Sequence, residues 1–218
     1  MPASDPLSWR TRTMMQTGAP LRRAFFARPC LQVAPELLGA YLVHRLDDGA
    51  RLVGRIVEVE AYRGDGSDPG SHAHRGPTER NRVMFGPPGR LYVYRSYGIH
   101  ACANLVCEPE GHAAAVLLRA FEPLVGSARM RAERRLPERA PPHQIASGPG
   151  KLTQALSLGL DDNGRSVLSG RLRLYHPAPD DAPAAAAKSR RIGLGRGREL
   201  PYRFYLADSP HLSRARPG

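Results

Sequence analysis

Apolar and polar residues alternate along several short stretches of this 218-residue chain, with the period of half-buried β-strands. The spacing predicts strands over residues 51–62, 90–97, 101–107, 113–121, 171–175 and 201–206, rich in β-branched and aromatic side chains. Helical periodicity predicts helices over 126–135 and 151–158, and an interrupted one over 24–39 with breaks at Pro29 and Pro35. Loops are expected at 136–144, which holds Pro137, Pro141 and Pro142, and at 177–183, ahead of the alanine run 184–187. Closely spaced central strands imply antiparallel hairpins, one of them turning near Gly98. The expected fold class is α+β: one domain with a curved, mainly antiparallel β-sheet, flanking helices and a projecting β-hairpin. Residues 1–20 are expected to be a disordered leader, with Met14 or Met15 as alternative starts. Residues 21–213 are expected to form the domain, with a frayed tail after Ser209 and a terminal segment at 214–218.

Composition changes the picture through charge. Lys plus Arg total 32 against 20 acidic residues, a formal net charge of +12, and only Lys151 and Lys188 are lysines. Arginine offers phosphate a planar, bidentate fork, so nucleic acid is the leading expected partner and an anionic membrane surface a distant second. A GC-rich genome would explain arginine over lysine, but not the excess of positive charge. The three cysteines, Cys30, Cys102 and Cys107, form no CxxC pair, which argues against a disulfide framework or structural zinc and for a reducing, cytoplasmic setting. No apolar run approaches the ~18 residues needed to span a bilayer.

The candidate chemistry lies between residues 51 and 121. Strand alternation puts Glu58, Glu60 and Tyr62 on one face, open to solvent or a pocket, and Val57, Val59 and Ala61 on the core face. On the strand pattern alone, Glu58 and Glu60 could equally be exposed carboxylates meeting arginines. The same alternation puts Tyr92 and Tyr94 on one face and leaves Tyr97 beside Gly98 at a hairpin tip. There Tyr97 could pack over its own hairpin or act as a wedge between stacked bases. Asn104 could read a base edge or cap backbone. Arg119, inside an apolar strand, must be paired when buried, with Glu60 a candidate partner. His72 and His74 have metal-like spacing but no matching third ligand. Arg75, Arg80 and Arg82 are candidates for phosphate contact. The stretch Ser147-Gly148-Pro149-Gly150-Lys151 before a helix would suit a phosphate, without P-loop spacing. The glycines of Ile192-Gly193-Leu194-Gly195 suggest a close backbone approach.

These residues resemble a known family. VEVEAY at 57–62, RNRVMFGPPGRLYVYRSYG at 80–98, Asn104, VLLRAFEPL at 116–124 and SGPGKL at 147–152 occur in the order found in the alkyladenine (3-methyladenine) DNA glycosylases of the mammalian alkyladenine type. RIGLG at 191–195 and PYRFYLADSP at 201–210 extend the likeness over about residues 35–213. The resemblance implies a monofunctional base-excision-repair glycosylase, acting on double-stranded DNA as a monomer without metal or other cofactor. It would flip out alkylated or deaminated purines, namely 3-methyladenine and also 7-methylguanine, hypoxanthine or ethenoadenine. By resemblance Glu60 activates the attacking water and Arg119 helps to position it. Tyr62, His72 and Tyr94 sandwich the base, Asn104 screens it, and Tyr97 fills the gap in the duplex. Arg80, Arg82 and Lys151 are expected on the DNA backbone. The chain departs from the pattern in Glu79, where many relatives have proline, in an extra histidine at His74, and in His100 after the hairpin tip. The competing expectations are a damaged-DNA-binding protein without chemistry, a His72/His74 metal hydrolase and an RNA-directed enzyme.

Overall fold

The computed structural model describes residues 18–178 and 186–213. Its centre is a long strand, β2 (Arg51–Tyr62), over the same residues that the alternation predicts. One edge of β2 pairs with β5 (Ala115–Val125); the other pairs first with β1 (Tyr41–Arg45) and then with the short β8 (Arg203–Tyr205). With β3 (Leu91–Ser96), β4 (His100–Val106), β6 (Leu172–Tyr175) and β7 (Ala187–Ser189), an eight-stranded, wholly antiparallel sheet results. Its main path runs β3-β4-β5-β2-β1-β6. The fold is α+β, as the strand pattern implies. β1 was not foreseen: Tyr-Leu-Val-His is a short apolar run just after a predicted helix and lacks alternation, because both of its faces are covered.

The helices α1 (Arg23–Phe26), α2 (Cys30–Glu36), α3 (Ser127–Glu133), α4 (His143–Ala146) and α5 (Pro149–Ala155) are short and bury apolar sides against one face of the sheet. Pro29 separates α1 from α2, as expected, but Pro35 sits inside the last turn of α2 and breaks nothing. The first two residues of α4, His143 and Gln144, fall in the stretch 136–144 read as loop. Of the expected leader, residues 1–17 lie outside the described residues; Gly18 donates to the His176 carbonyl (3.1 Å) and Pro20 bridges to Tyr175. The expected loop at 177–183 and the start of the alanine run also fall largely outside them.

Two unmatched residues decide what each face of the sheet carries. Between Ile56, opposite Phe121, and Val59, opposite Leu118, β2 and β5 pair only through Glu58 and Ala120. Val57 and Arg119 therefore have no partner in the ladder, so each strand has one bulged residue within this interval. On β2 the main core takes Leu52 and Ile56, then Val59 and Ala61; on β5 it takes Val116 and Leu118, then Phe121. The parity of inward residues thus flips at the bulges. Without the flip, Glu58 and Glu60 would share the face of Ile56. With it, they lie on the opposite face with Tyr62 and Arg119. That second face is covered by residues 63–85, whose Ala73 and Met84 pack on Tyr92, Val106 and Ala115. Gly64, the second residue after β2, runs so close to the segment leading into β5 that a Cβ there would lie 1.6 Å from the Ala113 carbonyl oxygen.

Candidate active site

Register places the candidate residues in one row across five strands. Tyr92 lies opposite Asn104, Asn104 opposite Leu117, Leu117 opposite Glu60, and Glu60 opposite Arg203. Two pairs further along, on the same face, Tyr94 lies opposite Cys102. Residues distant in sequence are thereby held at fixed spacing by backbone hydrogen bonds.

The aromatic end of the row is a small open cavity of about 50 Å³, lined by Tyr62, Gly70, His72, Met84, Tyr92, Tyr94, Asn104 and Leu194. Tyr92 and Tyr94 stack at 5.4 Å between centroids, and the His72 ring stands edge-on to Tyr94 at 4.5 Å. His72 Nδ1 lies 2.9 Å from the Tyr92 hydroxyl. Burial, followed by the charge of Arg80, pushes the His72 pKa down, which favours a neutral imidazole. Asn104 is buried, and its amide donates to the Tyr92 carbonyl (3.1 Å). Of the two histidines, His72 lines the cavity; His74 does not, and its Nδ1 is buried without a partner among the described residues.

Glu60 is fully buried. Its Oε2 accepts from the Tyr62 hydroxyl (2.8 Å) and Arg119 Nη1 (3.1 Å), and its Oε1 accepts from the Ile192 backbone N–H (2.8 Å). A carboxylate oxygen can accept about two hydrogen bonds, so Oε1 keeps one lone pair uncommitted among the described residues. Burial, then the neighbouring Glu60, push the Tyr62 phenol far above its ordinary pKa, so it remains a donor. Glu58 is fully buried too. Its Oε1 accepts from Arg119 Nε (2.9 Å), Arg203 Nε (2.8 Å) and the Ser213 hydroxyl (2.7 Å). Burial alone would raise the Glu58 carboxyl, but Arg119, Arg203 and Ser213 outweigh it and hold the group below its ordinary value. The expectation that this face opens to solvent or a pocket at both carboxylates is therefore corrected. β8, the segment around Ile192 and Ser213 close over it. The tail after Ser209 is likewise not frayed as far as Ser213, whose N–H donates to Glu58 Oε2 (2.5 Å) and whose hydroxyl accepts from Arg119 Nη2 (3.0 Å).

Sequence reading missed the pair behind Tyr62. Arg191 and Asp68, both buried, make a bidentate ion pair at 2.7 and 2.6 Å. Arg191 also donates to the carbonyls of Ala61 (3.0 Å) and Gly197 (2.9 Å), and its guanidinium lies 4.6 Å from the centre of the Tyr62 ring. The two are 123 residues apart, with only the glycines after Arg191 as a local signal. Those glycines do mark a close approach: Ile192 meets Glu60, Leu194 lines the cavity, and the Gly193 carbonyl accepts from the Tyr97 hydroxyl (3.2 Å).

Tyr97 is 83% exposed at the tip of the β3–β4 hairpin, beside Ile99 at 74%. Tyr97 (φ 48) and Gly98 (φ 72) both adopt left-handed backbone, which costs a non-glycine residue about 1 kcal/mol or more. Arg80, expected on DNA, donates to the Arg95 carbonyl (3.2 Å) and lies 5.5 Å from the Tyr94 ring centre. Arg82 is exposed and pairs with Glu79, the departure noted in the sequence. Lys151 is exposed on α5; in the segment before it, the Gly148 N–H donates to the Arg119 carbonyl (3.0 Å) and Gly150 packs against His100. Among the described residues, no group of three His, Cys, Asp or Glu side chains is arranged to hold a metal, and no helix is long and apolar enough to cross a membrane.

Residues 24–210 match the family model described as methylpurine-DNA glycosylase. Proteins named as 3-methyladenine DNA glycosylases are similar over nearly the whole chain. One from Methanoculleus marisnigri is 49% identical over 197 residues, covering 89% of this chain and 98% of its own. One from Rhodopseudomonas palustris is 50% identical over 200 residues, covering 92% and 91%. One from Leifsonia xyli is 46% identical over 205 residues, covering 92% and 93%.

Proposed function

Because this chain belongs to the methylpurine-DNA glycosylase family and is a DNA glycosylase, we propose that it releases alkylated purines from duplex DNA by a single hydrolytic step at Glu60. Its substrates are damaged purines, its working form is a monomer, and its site operates in the manner of the mammalian alkyladenine type. The observation that carries the reading is the strand row that joins an aromatic cavity at Tyr92 and Asn104 to a buried carboxylate at Glu60.

The damaged nucleotide leaves the stack and its base enters between Tyr62 and the Tyr94–His72 pair, a step that is easiest where damage has weakened pairing. Purines methylated at N3 or N7 are cationic, and aromatic faces attract them by about 0.5–2 kcal/mol. A neutral His72 adds no opposing charge. Asn104, held by the Tyr92 carbonyl, screens the base edge. The C1′–N bond then breaks, and its electron pair leaves with the base, which departs neutral if it was cationic and otherwise as an anion that takes a proton from solvent. Water adds its oxygen to the oxocarbenium-like C1′ and gives a proton to Glu60 Oε1. Arg119, Tyr62 and the Ile192 N–H hold that carboxylate in one orientation. Tyr97 enters the space left in the duplex, while Arg80, Arg82 and Lys151 meet phosphates; for Arg80 this requires leaving the Tyr94 ring. Lesion breadth beyond methylated adenine belongs to the same proposal.

The test is release of free base from duplexes carrying 3-methyladenine, 7-methylguanine, hypoxanthine or ethenoadenine beside an undamaged control. Release from at least one methylated duplex is expected; retention of the duplex with no product would make the chain a binder and sink the reading. In the same assay Tyr97→Ser is expected to weaken binding of the damaged duplex about tenfold, the value of one lost base–aromatic stack. Its melting temperature should not change, because Tyr97 is exposed. Undiminished binding would remove Tyr97 from the wedge role.

A further inference from the structure

Glu58 is left over by this mechanism, yet it is as deeply buried as Glu60 and accepts four hydrogen bonds. A carboxylate is not taken out of water without compensation, and here the compensation is shared with the reacting group. The Arg119 guanidinium bridges the two: Nε to Glu58, Nη1 to Glu60. Arg203 completes the set, bonded to Glu58 and opposite Glu60 in the ladder. Two carboxylates thus stand against two guanidiniums. The remaining charged and titratable groups around Glu60 are Tyr62 on β2, Tyr94 on β3, Cys102 on β4 and Arg191 after β7, and Arg191 is neutralised by Asp68.

We propose that Glu58 is a positioning residue for the reaction: it fixes Arg119 against Glu60 and, balanced by Arg203, sets the pH below which the site stops working. The inference rests on Glu60 being the base. Glu58 Oε1 holds Arg119 by Nε, the nitrogen least free to rotate, so Nη1 is aimed at Glu60 without adjustment at the moment of reaction. Glu58 also supplies the nearest like charge, which opposes ionisation of the base, whereas Arg203 favours it.

The two charges therefore act with opposite signs, which loss of structure alone would not reproduce. The assay is single-turnover release from dimethyl-sulfate-treated duplex DNA, whose N3- and N7-methylated purines carry fixed charge, so base titration does not move the acid limb. Glu58→Gln is expected to lower the plateau rate about tenfold and to move the acid limb down by about one pH unit. Arg203→Gln is expected to move the limb up by about as much. The double variant restores neutrality and is expected to bring the limb back to its original position. Folding of each is checked by circular dichroism; should one single variant not fold, the sign of the other's shift decides. Limbs that stay in place in folded glutamine variants, or shift in the same direction, overturn the role of Glu58. Release by Glu60→Gln would overturn the reading of Glu60 itself, so the two failures are distinguishable.

Discussion

Glu60→Gln is expected to bind methylated duplex DNA with unchanged affinity and to release base about 10²- to 10⁴-fold more slowly, the range lost with a general base. Glutamine matches glutamate in shape, so the row from Tyr92 to Arg203 keeps its register. The amide can still accept from Tyr62 and Arg119 through one oxygen. Its nitrogen then faces the Ile192 N–H, donor against donor, and a buried mismatch of that kind costs about 1–3 kcal/mol. The fold should absorb that cost, because the rest of the sheet is untouched. What disappears is the lone pair on Oε1 that takes the proton from water. Rapid-quench release measured alongside equilibrium binding separates the two effects; release within about threefold of the parent chain would be incompatible with proton transfer to Glu60.

Arg191→Met is expected to be the most destabilising single change considered. It leaves Asp68 charged and buried without its bidentate partner, and breaking a buried pair from one side costs about 3–5 kcal/mol. The carbonyls of Ala61 and Gly197 also lose the hydrogen bonds from Arg191, and the Tyr62 ring loses the guanidinium behind it. For a chain of this size the loss corresponds to a fall in melting temperature of about 10 °C. Adding Asp68→Leu should recover part of it, because the stranded carboxylate is then gone. The decisive measurement is a double-mutant cycle by thermal or denaturant unfolding. A single variant that melts within about 2 °C of the parent would show that the pair contributes little to the fold.

How much of this was legible in the sequence depends on distance along the chain. Strand alternation found the extent of β2 to the residue and put Tyr92 and Tyr94 on one face, because a period of two is a local property. The Ser-Tyr-Gly turn was legible for the same reason. Register was not. Nothing near Glu60 indicates that Leu117 lies opposite it, or that Arg203 closes the row from a strand of only three residues. The pairs Asp68–Arg191 and Glu58–Ser213 join residues more than a hundred positions apart, and single polar residues in loops and tails carry no sign of their partners. Alternation alone left Glu58 and Glu60 equivalent, and the family likeness ranked one above the other. The geometry gives each a different set of donors and closes both from solvent, which alternation read as an open face.

The paired bulges constrain how the chain can change length. Deleting Val57, which has no partner in the ladder, would leave every later side chain of β2 on its present face, whereas deleting the paired Val59 would turn the later ones over and send Glu60 and Tyr62 into the apolar layer. Deleting Arg119 would likewise leave β5 in phase, but it removes the guanidinium the carboxylates require. A one-residue loss that keeps both the faces of the sheet and the site can therefore fall at Val57 or in the loops, but not at the paired positions from Glu58 to Tyr62.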